Sequence, residues 1–442
     1  MSFSKRSWQD QSKGGIIGAP IIANDMVYFG NYEVLRSAVM HTLGKLLLAF
    51  SVVTVLSLLP GSANAKSFKI LHAFAGGDGF APSRGPLIAD KAGNLYGTTR
   101  LGGAYNAGTV FELAPNGDFR VLYSFAGYPH TYEPFAGLVA DDAGNMYGAA
   151  QGGRYNFGAV FKITPSGKES TLYSFKGAAD GSGLGGISKL VIDKQGNLYG
   201  TTSEGGGSSV CQNGCGTVFK IAADGTETVL HAFLPGSGDE GSFPVAGLLM
   251  DTQGNLFGTT LGGIHSCGYG TIFKITSDGT LSTLHCFKDR HEGGGPQGTL
   301  IADADGNLYG TAAEKGEKRF ARCPYQEGCG TLFKLAPDET FTVLFRFSGG
   351  HSGARPVSGL LMDTQGTLYG TTYAGGRINQ CTSKGCGTVF KRSPDGLMTI
   401  LHNAAPRDSA PGDLFMGPNG AIYTTGGGSE FGQMGVIFKL AN

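Results

Sequence analysis

Charge is scarce in this sequence. Only 15% of its 442 residues are Asp, Glu, Lys or Arg, and the two signs balance at 34 each. A balanced chain has no electrostatic footprint for nucleic acid or an anionic lipid surface, so neither is expected as a partner. Low charge combined with 40% hydrophobic residues also excludes a disordered chain. Tryptophan occurs once, at Trp8. Outside one apolar run, no window shows a convincing helical period, which excludes a helical fold. What is abundant is glycine, with 76 residues, set between short runs rich in Val, Thr, Tyr and Phe. That composition belongs to a turn-dense β protein.

The one apolar run begins "MHTLGKLLLAFSVVTVLSLLPGSANAKSF" at Met40. Lys45 supplies a charged start, Leu46 to Leu59 an apolar stretch too short for a stable span, and Ala63-Asn64-Ala65 an A-x-A cleavage site. Residues 40–65 are therefore expected to be a signal peptide, with the mature chain starting at Lys66. Residues 1–39 are read as a leader ahead of a true start at Met40. Within it, Gly18 to Asn31 resembles a blade fragment of quinoprotein-type propellers.

A single phrase dominates the rest. "DKAGNLYGTTRLGG" at Asp90 returns as "DTQGNLFGTTLGG" at Asp251 and "DTQGTLYGTTYAGG" at Asp363. Its central glycine recurs seven times, at Gly93, Gly144, Gly196, Gly254, Gly306, Gly366 and Gly420. A period of 51 to 60 residues means a solenoid, propeller or array. Each copy carries four short apolar runs separated by turn residues: in the first, Gly85–Asp90, Asn94–Thr99, Gly108–Pro115 and Arg120–Phe125. Four strands repeated radially make a propeller blade. The mature chain opens with a spare fourth run, "SFKILHAF" (Ser67–Phe74), and ends on a third run, "GVIFKLAN" (Gly435–Asn442). Pairing the two closes a ring without exposed edges. The expected fold is all-β: a seven-bladed β-propeller over residues 66–442, its last blade completed by the N-terminal outer strand.

The pattern "GNLYGTT…GG…GTVFK…LYSF" resembles the GloVer (Gloeo/Verruco) tandem-repeat family, also called choice-of-anchor tandem-repeat proteins. The resemblance covers essentially all of Lys66 to Asn442. It implies an exported protein, in that family often ending in a surface-sorting signal, and it brings no catalytic residues. Here the sequence stops directly after the last strand, and no C-terminal anchor is visible.

The recurrent residues read as scaffold. Asp90, Asp141, Asp193, Asp251, Asp303 and Asp363 each precede the turn glycine by three residues, which suits a hairpin whose carboxylate accepts backbone N–H groups. The alternative is a calcium loop, but only "DADGN" at Asp303 has a second acid, and no twelfth-position Glu follows. Phe111 and its six equivalents, and Leu71 and its equivalents, suit packing between neighbouring blades. The next position holds His72, Tyr123, Tyr173, His231, His285, Phe345 and His402. Exchange of His with Tyr and Phe, on different blades, argues for a flat packing ring over zinc.

Variable text lies elsewhere. In a propeller, the links from fourth to first runs and from second to third runs emerge on one face. Here they are long and varied, while the opposite turns are short and uniform. Function usually resides in such loops. The binding candidates on this face are Tyr105, His130, Tyr132, Tyr155, Asp239, Glu240, Asp289, Arg290, His291, Glu292, His351 and Arg355; taken singly, each is equally a solvated loop residue. Eight cysteines fall nearby. In an exported protein, Cys211–Cys215, Cys323–Cys329 and Cys381–Cys386 read as loop disulfides, and Cys267–Cys286 as a bridge across one hairpin. Zinc is the alternative, but each loop offers only two thiols.

The first runs, expected at the axis, bring charge only at Lys189 and Asp413 before their turns. No carboxylate pair, Ser-His-Asp order or metal cluster stands out. The functional expectation is a secreted, cell-surface or periplasmic monomer without cofactor or metal, acting as a binding or scaffolding module for a glycan, peptide or surface protein. The alternative is an exported lyase or hydrolase in which loop His and Asp/Glu residues, such as His130, His291 and His351, converge at the mouth of the channel.

Overall fold

In a computed structural model the chain divides into two units, residues 1–64 and 65–442. The residues described are 21–23, 26–28 and 68–440, less 178, 184–188, 235–238, 264–266, 317–322, 324, 377–380, 382–383 and 428–432. The expected signal peptide lies outside them. In the first unit, strands Ile21–Ala23 and Met26–Tyr28 pair antiparallel, within the stretch expected to resemble a blade fragment.

The second unit is a seven-bladed β-propeller. Each blade is an antiparallel sheet, and in blades 1 to 6 the inner, second, third and outer strands follow one another in sequence. In blade 3 these are Val191–Ile192, Leu198–Thr202, Thr217–Ile221 and Glu227–Ala232. Blades 1 and 2 each add a short strand on the second one, Phe80–Pro82 and Thr131–Pro134. The ring closes as expected. Strand Phe68–Ala73 pairs with Val436–Leu440, with Phe68 opposite Leu440 and Ala73 opposite Val436. Strand Phe68–Ala73 therefore covers the edge that Val436–Leu440 would otherwise expose.

Local chemistry explains the repeated phrase. Asp90 Oδ1 accepts from the Ala92 and Asn94 backbone N–H groups, and Oδ2 accepts from Asn94 Nδ2 and Tyr96 Oη, all at 2.8–2.9 Å. Gly93, at φ 86°, turns the chain in the left-handed region. Asp303, the calcium-like copy, has the same four donors on its carboxylate. The tyrosine of the phrase is thus more than a packing ring: its hydroxyl closes the turn. The glycine after it is required by close approach. A Cβ on Gly97 would lie 2.6 Å from Phe111 Cζ, and equivalent glycines in blades 2 to 6 meet their phenylalanines at 2.4–2.6 Å. Blade 7 has Thr424 at this place, opposite Phe438.

The core lies between blades. Phe111, Phe161, Phe219, Phe273, Phe333, Phe390 and Phe438 are all fully buried. Six of them meet a ring at the end of the preceding blade's outer strand, from Phe74–Phe111 at 5.5 Å to Phe347–Phe390 at 5.3 Å. Such aromatic contacts favour tilted and edge-on geometry, as found here. A second tie is polar. Buried threonines of the second strands donate to carbonyls entering the next blade, as from Thr201 Oγ1 to Ala246 O at 3.1 Å and from Thr425 Oγ1 to Ser83 O at 2.9 Å.

Candidate functional site

The antiparallel order sends the outer-to-inner and second-to-third links to one face, called here the long-loop face. Backbone pairing clamps the two links of a blade together: Ser182 with Glu204, Ser242 with Gly262, Gly294 with Glu314, and Ala354 with Ala374. In blades 3, 5 and 6 a second pairing, Gly205–Gly214, Lys315–Gly328 and Gly375–Gly385, adjoins a disulfide. All four bridges form as expected: Cys211–Cys215, Cys267–Cys286, Cys323–Cys329 and Cys381–Cys386. Long links are thereby held as walls.

The candidates from sequence fall into several places. Tyr105 and Tyr155 are exposed, at 65% and 43%, beside Asn106 and Asn156 with positive φ. Tyr132 donates from Oη to Asn156 Oδ1 at 3.1 Å. His130 lies near Glu169 of the blade 2 outer strand, and its carbonyl accepts from Gly153 N–H. Asp239 is 3.7 Å from Lys288 Nζ. Asp289 caps its own turn, accepting the His291 N–H at 2.9 Å. The Arg290 carbonyl accepts from Gly316 N–H. His351 sits in the 3-10 turn Gly350–Ser352. Arg355 lies 3.9 Å from Glu314 and over the Tyr325 ring. Among the described residues, no hydrogen bond or ion pair joins any two of His130, His291 and His351.

Glu240 and Glu292 belong to a device that sequence reasoning missed. They face rim histidines: His231 Nε2 to Glu240 at 3.2 Å and His285 Nε2 to Glu292 at 3.4 Å. His72 pairs likewise with Asp78 at 2.8 Å, His402 with the buried Asp408 at 2.5 Å, and Tyr173 Oη donates to Asp180 at 2.7 Å. On the other side, three of these rings stack on a phenylalanine of the next blade: His72 on Phe119, His285 on Phe341 and His402 on Phe68, with centroids 3.7–4.2 Å apart. The position is a flat ring, as expected, that also pins the following loop through a carboxylate. The signal was present: an acid follows six to nine residues after each His or Tyr concerned.

Two features remain on the long-loop face. One is Asp413, two residues before the inner strand of blade 7, whose Oδ1 accepts from Gly359 N–H of blade 6 at 2.7 Å. Crowding by protein pushes its carboxyl up to about 6, against the downward pull of the Gly359 bond and the Lys189 charge. The other is a cleft of about 680 Å³ between blades 2 and 3. Its walls are the blade 2 link (Gln151, Gly152, Asn156, Phe157, Gly158), the residues Gly177, Ser182 and Gly183, and the blade 3 link with Glu204, Ser208, Ser209, Gln212 and Asn213. Tyr132 lines it; the other eleven binding candidates do not. Its remaining residues carried only a positional signal, the variable text after "GG" and within the Cys211–Cys215 loop. A furrow of about 830 Å³ on the opposite face is walled largely by the Asp193 and Asp251 turns, which are scaffold repeated in other blades.

Residues 54–212 match the family model of the Gloeobacter/Verrucomicrobia repeat. No curated protein matches the chain. Among solved structures it is similar to streptogramin B lyase, at 13% identity and a TM-score of 0.56, over 85% of this chain and 97% of that one. It is also similar to the extracellular domain of a hybrid two-component system from B. thetaiotaomicron, at 13% identity and a TM-score of 0.53, over 85% of this chain and 41% of that one. At such identities the likeness is one of fold alone.

Proposed function

We propose that this chain, a member of the Gloeobacter/Verrucomicrobia repeat family, is an exported propeller that binds an extracellular ligand on its long-loop face. Export by the signal peptide of residues 40–65 is part of this reading. The four disulfides support an oxidising compartment. No helix among the described residues is long and apolar enough to cross a membrane.

The observation that carries the binding reading is the cleft between blades 2 and 3. It is built from residues peculiar to one seam, on walls fixed by backbone pairing and the Cys211–Cys215 bridge. Fixed walls reduce the ordering cost of binding. The catalytic alternative finds its best support in Asp413 at the axis, whose carboxylate also takes a hydrogen bond from the Ser358 hydroxyl, with no second acid hydrogen-bonded to it among the described residues.

The test is a glycan and peptide array probed with the full chain, followed by mapping. Binding should fall at least tenfold in Phe157→Ala and stay within twofold in Lys194→Ala on the opposite face. Loss only in Lys194→Ala would overturn the assignment of the face. Mass spectrometry showing cleavage of the captured ligand, abolished by Asp413→Asn, would replace the binding reading with the catalytic one.

A further inference from the structure

The chemistry of the cleft wall narrows the ligand. Among the described residues the cleft contains one carboxylate, Glu204, which accepts from Ser182 Oγ at 3.3 Å, and no Lys or Arg lines it. An anion would meet a negative group with no counter-charge, so phosphorylated, sulfated and uronic-acid ligands are disfavoured. The remaining polar side chains are neutral amides and hydroxyls, among them the exposed Gln151, Gln212 and Asn213. They offer donors and acceptors in equal supply. Two aromatic rings join them. Phe157 is 45% exposed and rests against Gly177, where a Cβ would lie 2.9 Å from its ring, and Tyr132 is anchored through Asn156.

We infer that the cleft takes a neutral carbohydrate, of about two to three sugar units, with a pyranose face lying on Phe157 and its hydroxyls met by Gln151, Gln212 and Asn213. A pyranose has an apolar C–H face and an equatorial fringe of hydroxyls, which can each donate and accept. An aromatic ring beside amides answers both features, in the way that aromatic anchors with adaptable polar side chains serve other recognition surfaces. A volume of about 680 Å³ lies within the usual range for compact ligands, into which a disaccharide falls. A peptide fits less well: among the described residues the only large apolar side chains lining the cleft are Tyr132 and Phe157, too few to build a pocket for an anchoring side chain. The inference rests on the proposed binding role of this face and names the class of ligand for it.

The test is calorimetric titration of the full chain with maltohexaose, cellohexaose, laminarihexaose, xylohexaose and chitohexaose. Hexagalacturonate serves as the acidic comparison, and a peptide selected from a display library as the non-glycan comparison. At least one neutral hexasaccharide should bind with a Kd between about 10 μM and 1 mM, and hexagalacturonate at least tenfold more weakly. Phe157→Ala and Gln212→Ala should each weaken binding tenfold or more with an unchanged melting temperature, while Lys194→Ala on the opposite face should change it less than threefold. Reduction of the disulfides should weaken binding as well, because Gln212 and Asn213 lie inside the Cys211–Cys215 loop. Preferential binding of hexagalacturonate overturns the neutral class. If no hexasaccharide binds but a selected peptide does, and Phe157→Ala abolishes it, the carbohydrate inference falls while the binding face stands. If neither class shows a Phe157-sensitive interaction, both readings fall.

Discussion

Glu227 offers the sharpest test of how the seam between blades 2 and 3 is held. It opens the outer strand of blade 3, at the place where Phe119, Phe341 and Phe68 stack on rim histidines elsewhere. Across the seam lie Tyr173 and Asp180 of the preceding blade, and the carboxylate of Asp180 also accepts the Lys176 N–H. One Glu227 oxygen, Oε1, is buried without a hydrogen-bond partner. Burial, and then the Asp180 charge, push its carboxyl up from 4.5 to about 7, while Tyr173 and Lys176 pull the other way. A raised acid binds its proton more tightly in the folded chain. Its contribution to stability is therefore fully present below about pH 4.5 and is lost as the pH rises through about 7. Undiscounted, the shift corresponds to about 3 kcal/mol. Glu227 keeps part of its surface in water, so screening reduces this to on the order of 1–2 kcal/mol. Glu227→Gln removes the titrating group. The variant should melt about 1–3 °C higher than the parent at pH 8 and equally at pH 4.5. Calorimetric melts from pH 4.5 to 8.5 measure the difference. Parallel profiles for the two proteins, or a variant less stable at pH 8, would refute the account, because either means that Lys176 and Tyr173 compensate the ionised group in full.

Other consequences are equally direct. Gly200→Ala would place a Cβ 2.6 Å from Phe219 Cζ and 2.9 Å from Leu190 Cδ2; an overpacking cost of about 1–3 kcal/mol should appear in urea unfolding. Deleting the chain through Ala73 strips the partner from Val436–Leu440, and size-exclusion chromatography should show aggregation where the full chain runs as one species. Replacing Cys267 and Cys286 by Ser opens a bridge spanning 19 residues, and should cost about 2–3 kcal/mol in a denaturant titration. Burial pushes the six turn aspartates up, but their hydrogen bonds outweigh it and hold them below 3.8. Their contribution is present above 3.8 and lost as the pH falls through the lowered values, so acid unfolding monitored by circular dichroism should set in below about pH 4 and move to higher pH in Asp141→Asn.

The scaffold was legible because it is written seven times. A single "NLYG" is a weak strand; seven copies, in phase with Asp, Gly and Phe, define a blade, and a spare fourth run facing a missing one defines closure. The disulfides were legible for a similar reason, since close pairs within one loop leave few partners. The site was less legible. Of the twelve binding candidates only Tyr132 lines the cleft, and Glu240 and Glu292 face rim histidines instead. Charged and histidine side chains draw the eye in a sequence, whereas the cleft is walled by Gln, Asn, Ser and Gly, residues that equally make ordinary turns.

Strand order, ring closure and the identity of the variable face were determined by sequence alone, because each depends on alternation, turn chemistry and period along the chain. Which variable residues meet was decided only in three dimensions. Gln151, Ser182 and Gln212 belong to different links, and it is blade stacking, through Phe175 on Phe219, that sets two blades side by side and leaves a cleft between them. The same holds for Glu227, whose carboxyl is pushed up first by burial and then by the charge of Asp180, a residue 47 positions earlier in the chain that the seam brings beside it.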